Sequence, residues 1–217
     1  MTHLAASPAM RSELRKHQIQ DRARKLFARQ GFHATTVTDI VREAGVARGT
    51  FYRHFEGKRD VFEQLLEGLF ASLALDIRRV DLTEGQPPVM DQMLGNVQRV
   101  LRTLFENADI TRILLREAVG IDDDFDRKID EFYGRILSLI MLSLRHGQEM
   151  GIVRRCDTQL AALMVLGSVK QVLDWAIASR RPQPFGPDVA RELLALVAGG
   201  LLVLGASPRT GEENDEH

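Results

Sequence analysis

The sequence predicts an all-α protein of about nine helices, a three-helix helix-turn-helix unit at the N-terminus with a helical body behind it. Apolar residues recur every three to four positions nearly throughout, and no segment alternates like a half-buried strand. Thr, Asp, Pro and Gly stand where each helical pattern begins or ends. At 217 residues, 44% hydrophobic and 27% charged, the chain can bury a sizeable core, and wholesale disorder is excluded.

Taken in order, residues 1–10 read as a flexible tail. A first helix follows from about Ser12 to Gln30, with Ile19, Ala23, Leu26 and Phe27 on one face and Gly31 as its stop. Thr36, with Asp39 three residues on, resembles a capping box opening a second helix. Val37, Ile40, Val41 and Ala44 form the buried stripe of that helix, and Gly45 permits a left-handed turn. A third helix covers Arg48 to His54, with Phe51 and Phe55 facing inward, and Lys58 and Asp60 open a fourth that runs toward residue 80.

Five more helices complete the pattern. Pro87-Pro88 starts one reaching about Asn107, and the next spans Asp109 to Val119. Asp122, Asp123 and Asp124 place acid at the positive end of a long helix that stops at Gly151. Asp157 caps a helix to Ser179, and Pro187 with Asp188 begins the last, ending at Gly205. The division expected is a tail (1–10), a helix-turn-helix DNA-binding domain (11–58), a helical body (59–206) and a disordered acidic tail (207–217).

Charge is unevenly distributed. Residues 1–60 hold 12 Lys and Arg against 6 Asp and Glu, whereas the remainder holds 17 against 24. A basic head on an acidic body suits contact with a polyanion at one end, although basic surface helices are often merely solvated. The single cysteine, Cys156, forms no intrachain disulfide, and a reducing, cytoplasmic setting fits. No signal peptide is evident, and the apolar runs at 136–144 and 193–206 fall short of the roughly 20 residues that cross a bilayer, so no membrane partner is expected.

A recognition helix must be apolar on one side and polar on the other. Phe51 and Phe55 bury, which leaves Arg48, Thr50, Tyr52, Arg53 and His54 around the outer faces, while Gly49 allows close backbone approach. Arginine can donate two hydrogen bonds to guanine, and hydroxyls reach phosphates or base edges. Thr36 and Thr38 at the start of the second helix, and Lys58 at the start of the fourth, are expected on phosphates. A tight helical corner with polar surface residues would show the same bare pattern.

The stretch Ala44-Gly45-Val46-Ala47-Arg48-Gly49-Thr50-Phe51-Tyr52-Arg53-His54-Phe55, followed by Lys58, resembles the TetR (tetracycline-repressor-like) family of bacterial transcriptional regulators over about residues 12–62. The resemblance implies a homodimer, a helical ligand-binding body, and repression of a palindromic operator in double-stranded DNA relieved by a small-molecule effector. It also implies that Arg48, Gly49, Thr50, Tyr52, His54 and Lys58 face DNA, with Thr36 on a phosphate. Two departures stand out. Ala47 takes the place of a frequent serine, removing a cap, and Arg53 takes the place of a frequent aromatic. The last two helices resemble the family's dimerising pair. They are apolar almost all round, which demands cover on several sides, and the small pair Gly199-Gly200 permits close approach. The alternative is a TetR-fold DNA-binding protein acting through a protein partner, of the nucleoid-occlusion type.

Within the body, Phe105, Arg116, Tyr133 and Trp175 are the candidates for an effector pocket, with ordinary core or interface the plainer account of Trp175. Arg112 and Arg116, one turn apart, read as a surface ion-pair ladder. The scattered histidines lack metal-ligand spacing, and Asp122 to Asp126 lack the glycine and distal glutamate of a calcium loop. No catalytic triad order, nucleotide fingerprint or cofactor motif occurs, so neither catalysis nor a cofactor is expected.

Overall fold

The computed structural model describes residues 7–116, 123–178 and 187–201. Among these residues there are nine α-helices and no strand: α1 (Pro8–Gln30), α2 (Val37–Ala44), α3 (Arg48–His54), α4 (Lys58–Asp76), α5 (Val89–Glu106), α6 (Ala108–Arg116), α7 (Asp123–Glu149), α8 (Thr158–Ala178) and α9 (Pro187–Leu201). The expected tail at 207–217 lies outside the described residues, as do residues 1–6.

The first helix begins earlier than its apolar pattern. Pro8 occupies its first turn, and the Ser7 hydroxyl accepts from the Met10 N–H at 3.2 Å. The tail assigned to residues 1–10 is therefore corrected: from Ser7 onward it is cap and helix. A serine cap followed by proline at the first helical position is a start signal independent of burial, and residues 8–15 are all exposed.

The main core runs from the head into the body, and a second, smaller cluster gathers Leu144, Val153, Ala161 and Ala162. Ile19, Phe27, Ile40, Phe51, Val61 and Phe62 are fully buried, and the main core extends through Leu101 and Ile113 to Leu193. Phe125, from the first turns of α7, stacks on Phe32 at 5.1 Å and on Phe62 at 5.4 Å between ring centroids. The expected division at residue 58 thus falls inside one aromatic core that α1, α4 and α7 share.

Helix α6 joins head to body. Asp109 pairs with Arg24 of α1 at 3.4 Å, and Arg112 donates to the Ala28 carbonyl near the end of α1. Arg112 is therefore a tie between helices rather than a rung of a surface ladder. A guanidinium at the negative end of a helix is electrostatically well placed.

Helix α8 is a third apolar run, which the sequence reading of 136–144 and 193–206 did not weigh. Thr158–Ile177 reaches a mean hydropathy of 1.5, long and apolar enough to span a bilayer by length and composition. It carries Lys170 and Asp174. Only 22% of that window is buried within the protomer, so its apolar surface requires cover from outside.

Candidate nucleic-acid interface

Local chemistry fixes the geometry of α2 and α3. The Thr36 hydroxyl accepts from the Asp39 N–H at 3.2 Å, while the Asp39 carboxylate accepts from the Thr36 N–H at 3.0 Å and from the Thr36 hydroxyl at 2.7 Å. These hydrogen bonds, the Thr36 hydroxyl first, hold the Asp39 carboxyl below its ordinary range. At the other end of α2, Gly45 takes φ 62° and ψ 36°, and the Val46 N–H reaches back to the Val41 carbonyl at 3.2 Å. That is a Schellman stop, in which the left-handed residue favours glycine. Gln18 braces the same corner from α1 by donating to the Ala44 carbonyl at 2.8 Å.

The turn presents α3 with Phe51 and Phe55 buried and Arg48, Gly49, Tyr52 and Arg53 exposed. Thr50 and His54 are half-buried at its flanks. Arg48 and Tyr52 lie one turn apart as a pair, the guanidinium 5.6 Å from the ring centroid and one of its nitrogens 3.4 Å from the phenol oxygen. A Cβ added at Gly49 would meet nothing within 4 Å, so that stretch of backbone is open to an approaching surface. Ala47 provides no side-chain cap, as expected from its methyl.

Two of the residues expected on phosphates have partners within the chain. The Lys58 ammonium donates to the carbonyls of Phe32 (2.8 Å), His33 (2.9 Å) and Thr35 (2.8 Å), which uses all three of its protons. It also sits 4.7 Å from the Phe32 ring centroid, and burial lowers its pKa. Lys58 is thus a staple on the loop between α1 and α2, and reaching a phosphate would break those bonds. Thr36 is likewise committed, since its hydroxyl and its N–H both serve Asp39. Thr38 is exposed beside the orphan first-turn N–H groups of α2.

The candidate effector residues lie in different settings. Phe105 and Tyr133 border the main core, whereas Trp175 is 49% exposed on α8 and takes no part in that core. The Arg116 side chain lies outside the described residues. Trp175 shares its exposure on α8 with Leu160 and Met164. Sequence reading missed Lys170, whose ammonium stands 3.8 Å from the Tyr133 ring centroid. A lone lysine on the core side of an apolar helix was the signal.

Residues 19–65 match the profile described as bacterial regulatory proteins, tetR family. Over 92% of this chain and 89% of its own length, the HTH-type transcriptional regulator HbdR of Aromatoleum sp. (strain CIB) is 26% identical. The chain belongs to the TetR family. As a TetR-family transcriptional regulator it is also similar to the nucleoid occlusion factor SlmA of Photobacterium profundum, 26% identical over 76% of this chain and 84% of that one. Its fold is that of the transcriptional regulator FadR from Bacillus subtilis in complex with stearoyl-CoA, at TM-score 0.69 and 22% identity over 85% of this chain and 98% of that one.

Proposed function

We propose that this TetR-family regulator is a dimeric repressor that holds a palindromic operator through α3 and releases it when a small apolar or amphipathic effector enters the body. The observation that carries this reading is the two-sided α3, with Phe51 and Phe55 locked inside and Arg48, Gly49, Tyr52 and Arg53 outside. Arg48, Tyr52 and Arg53, flanked by Thr50 and His54, read the major groove, with Gly49 letting the backbone approach; Thr38 holds a phosphate.

Helices α8 and α9 serve as the dimer seam. Leu160 (57% exposed), Met164 (66%) and Trp175 form one stripe along α8, and Leu196 (77%) is exposed on the neighbouring α9. Apolar residues in such a row need a partner surface, and a second copy supplies an identical one. A Cβ at Gly199 or Gly200 would meet nothing within the protomer, which leaves both free for close helix approach. The residues 11–58 and 59–206 are then two functional units that share one core. The stearoyl-CoA held by the FadR neighbour supports an effector with a long apolar part.

The protein-partner alternative rests on the SlmA similarity and on an open groove of about 650 Å³ between α4 and α7, lined by Phe70, Arg135, Ser138, Leu139 and Leu142. Selection of bound duplexes from a random library tests the main reading. The recovered site should have dyad symmetry, and Arg48→Ala should relax its preference by about 1–3 kcal/mol. Absence of any salt-sensitive affinity for duplex DNA would overturn it.

A further inference from the structure

Among the described residues of the body, one buried side-chain polar atom is left unanswered by its surroundings. The Tyr133 hydroxyl is buried and has no hydrogen-bond partner among the described residues. Buried hydroxyls are nearly always bonded, so an orphan of this kind requires a missing partner. Burial raises the Tyr133 pKa to about 12, so the phenol keeps its proton in the cell. Lys170, on the facing α8, places its ammonium over the same ring and makes no ion pair with a described residue. An ammonium can only donate. Two donors from two helices therefore meet at one place, and what they lack is an acceptor.

Their surroundings define the rest of the ligand. Ile136 is one turn along α7 from Tyr133, Val169 and Val172 flank Lys170 on α8, and all three are half-buried at the margin of the main core, where Leu173 is buried. An acceptor carried on a hydrocarbon chain matches this combination of apolar walls and a cationic polar end.

We propose that Tyr133 and Lys170 anchor the effector by donating hydrogen bonds to the acyl oxygen of an amphipathic carboxylate or thioester, whose chain lies along Ile136, Val169 and Val172. This deepens, and rests on, the effector-released repressor reading. The chemistry selects an oxygen acceptor and disfavours a cation, because a second ammonium would face the like charge of Lys170.

Calorimetric titration and thermal melting of the full chain with decanoate, decanoyl-coenzyme A and decylammonium test the anchor. At least one acyl probe should bind and raise the melting temperature, and the difference between the two distinguishes a free carboxylate from a thioester. Decylammonium should do neither. Tyr133→Phe and Lys170→Met should each weaken acyl binding at least tenfold. Tyr133→Phe without ligand should melt no lower than the parent, because it removes an unsatisfied group; a hydroxyl with a purely structural role would lower the melting temperature instead. Unchanged acyl affinity in both variants, equal binding of decylammonium, or no binding of either acyl probe overturns the proposal. Operator release is read separately on the same samples. Binding through Tyr133 and Lys170 without loss of DNA affinity keeps the anchor and removes the effector reading. Release that is equal in parent and variants does the reverse.

Discussion

The head and the body of this regulator are finished to different degrees. In the head, Ile19, Phe27, Ile40, Phe51 and Phe62 are wholly inside, and Lys58, Thr35, Thr36 and Gln18 each donate from the side chain to a backbone carbonyl or a carboxylate. In the body, Leu94, Val97, Val100, Val169 and Val172 are half-buried, leucines of α8 and α9 are exposed, and the Tyr133 hydroxyl has no partner among the described residues. The duplex is a stiff, repetitive target, and a reader of it gains from rigid presentation of a few side chains. Under the proposed function the body must meet a second copy and a ligand, and its surfaces are left for them to complete.

This contrast can be broken by core truncation. Phe51→Ala should destabilise the protein by about 3–5 kcal/mol, and Val172→Ala by only about 1 kcal/mol, in urea unfolding followed by circular dichroism at fixed protomer concentration. Equal losses would mean that the body is packed as tightly as the head.

Lys58→Met tests the head's polar completeness at a smaller scale. It keeps the aliphatic stem over Phe32 but leaves three carbonyls without their donor. A loss of about 2 kcal/mol is expected, with the salt dependence of DNA binding unchanged. A slope reduced by about one would return Lys58 to a phosphate.

Smallest is Thr36→Ala, which should cost about 1 kcal/mol near neutral pH. Its pH dependence has a definite sign. Asp39 titrates below its unfolded value because Thr36 bonds its charged form, so that stabilisation is present above the unfolded carboxylate range and is lost as pH falls through the folded pKa. Melting curves of parent and variant should therefore converge on acidification. A constant gap down to the acid transition would show that Asp39 does not share in the cap.

Much of this was legible in the residues. Thr36 and Asp39 announced a cap, Gly45 a left-handed stop, and Phe51 with Phe55 the inward side of α3; each is a local rule acting over fewer than five positions. What escaped depends on distance. Lys58 looked like an exposed lysine because the carbonyls it meets lie on a loop more than twenty residues earlier. Arg112 looked like a surface charge because Ala28 is far from it in the chain. Lys170 and Tyr133 meet only because α7 packs against α8. The start of α1 escaped for another reason: its first turns are helical without being buried, so apolar periodicity could not find them.

The two attachments of α6 to α1 set how force passes through the molecule. Asp109 and Arg112 are three residues apart, so they grip α1 from a single turn of α6, one through a carboxylate and the other through a guanidinium. Such a joint transmits torque instead of absorbing it. A twist of α6 that keeps both grips must carry the end of α1 along, and with it the corner that Gln18 braces under the reading helix.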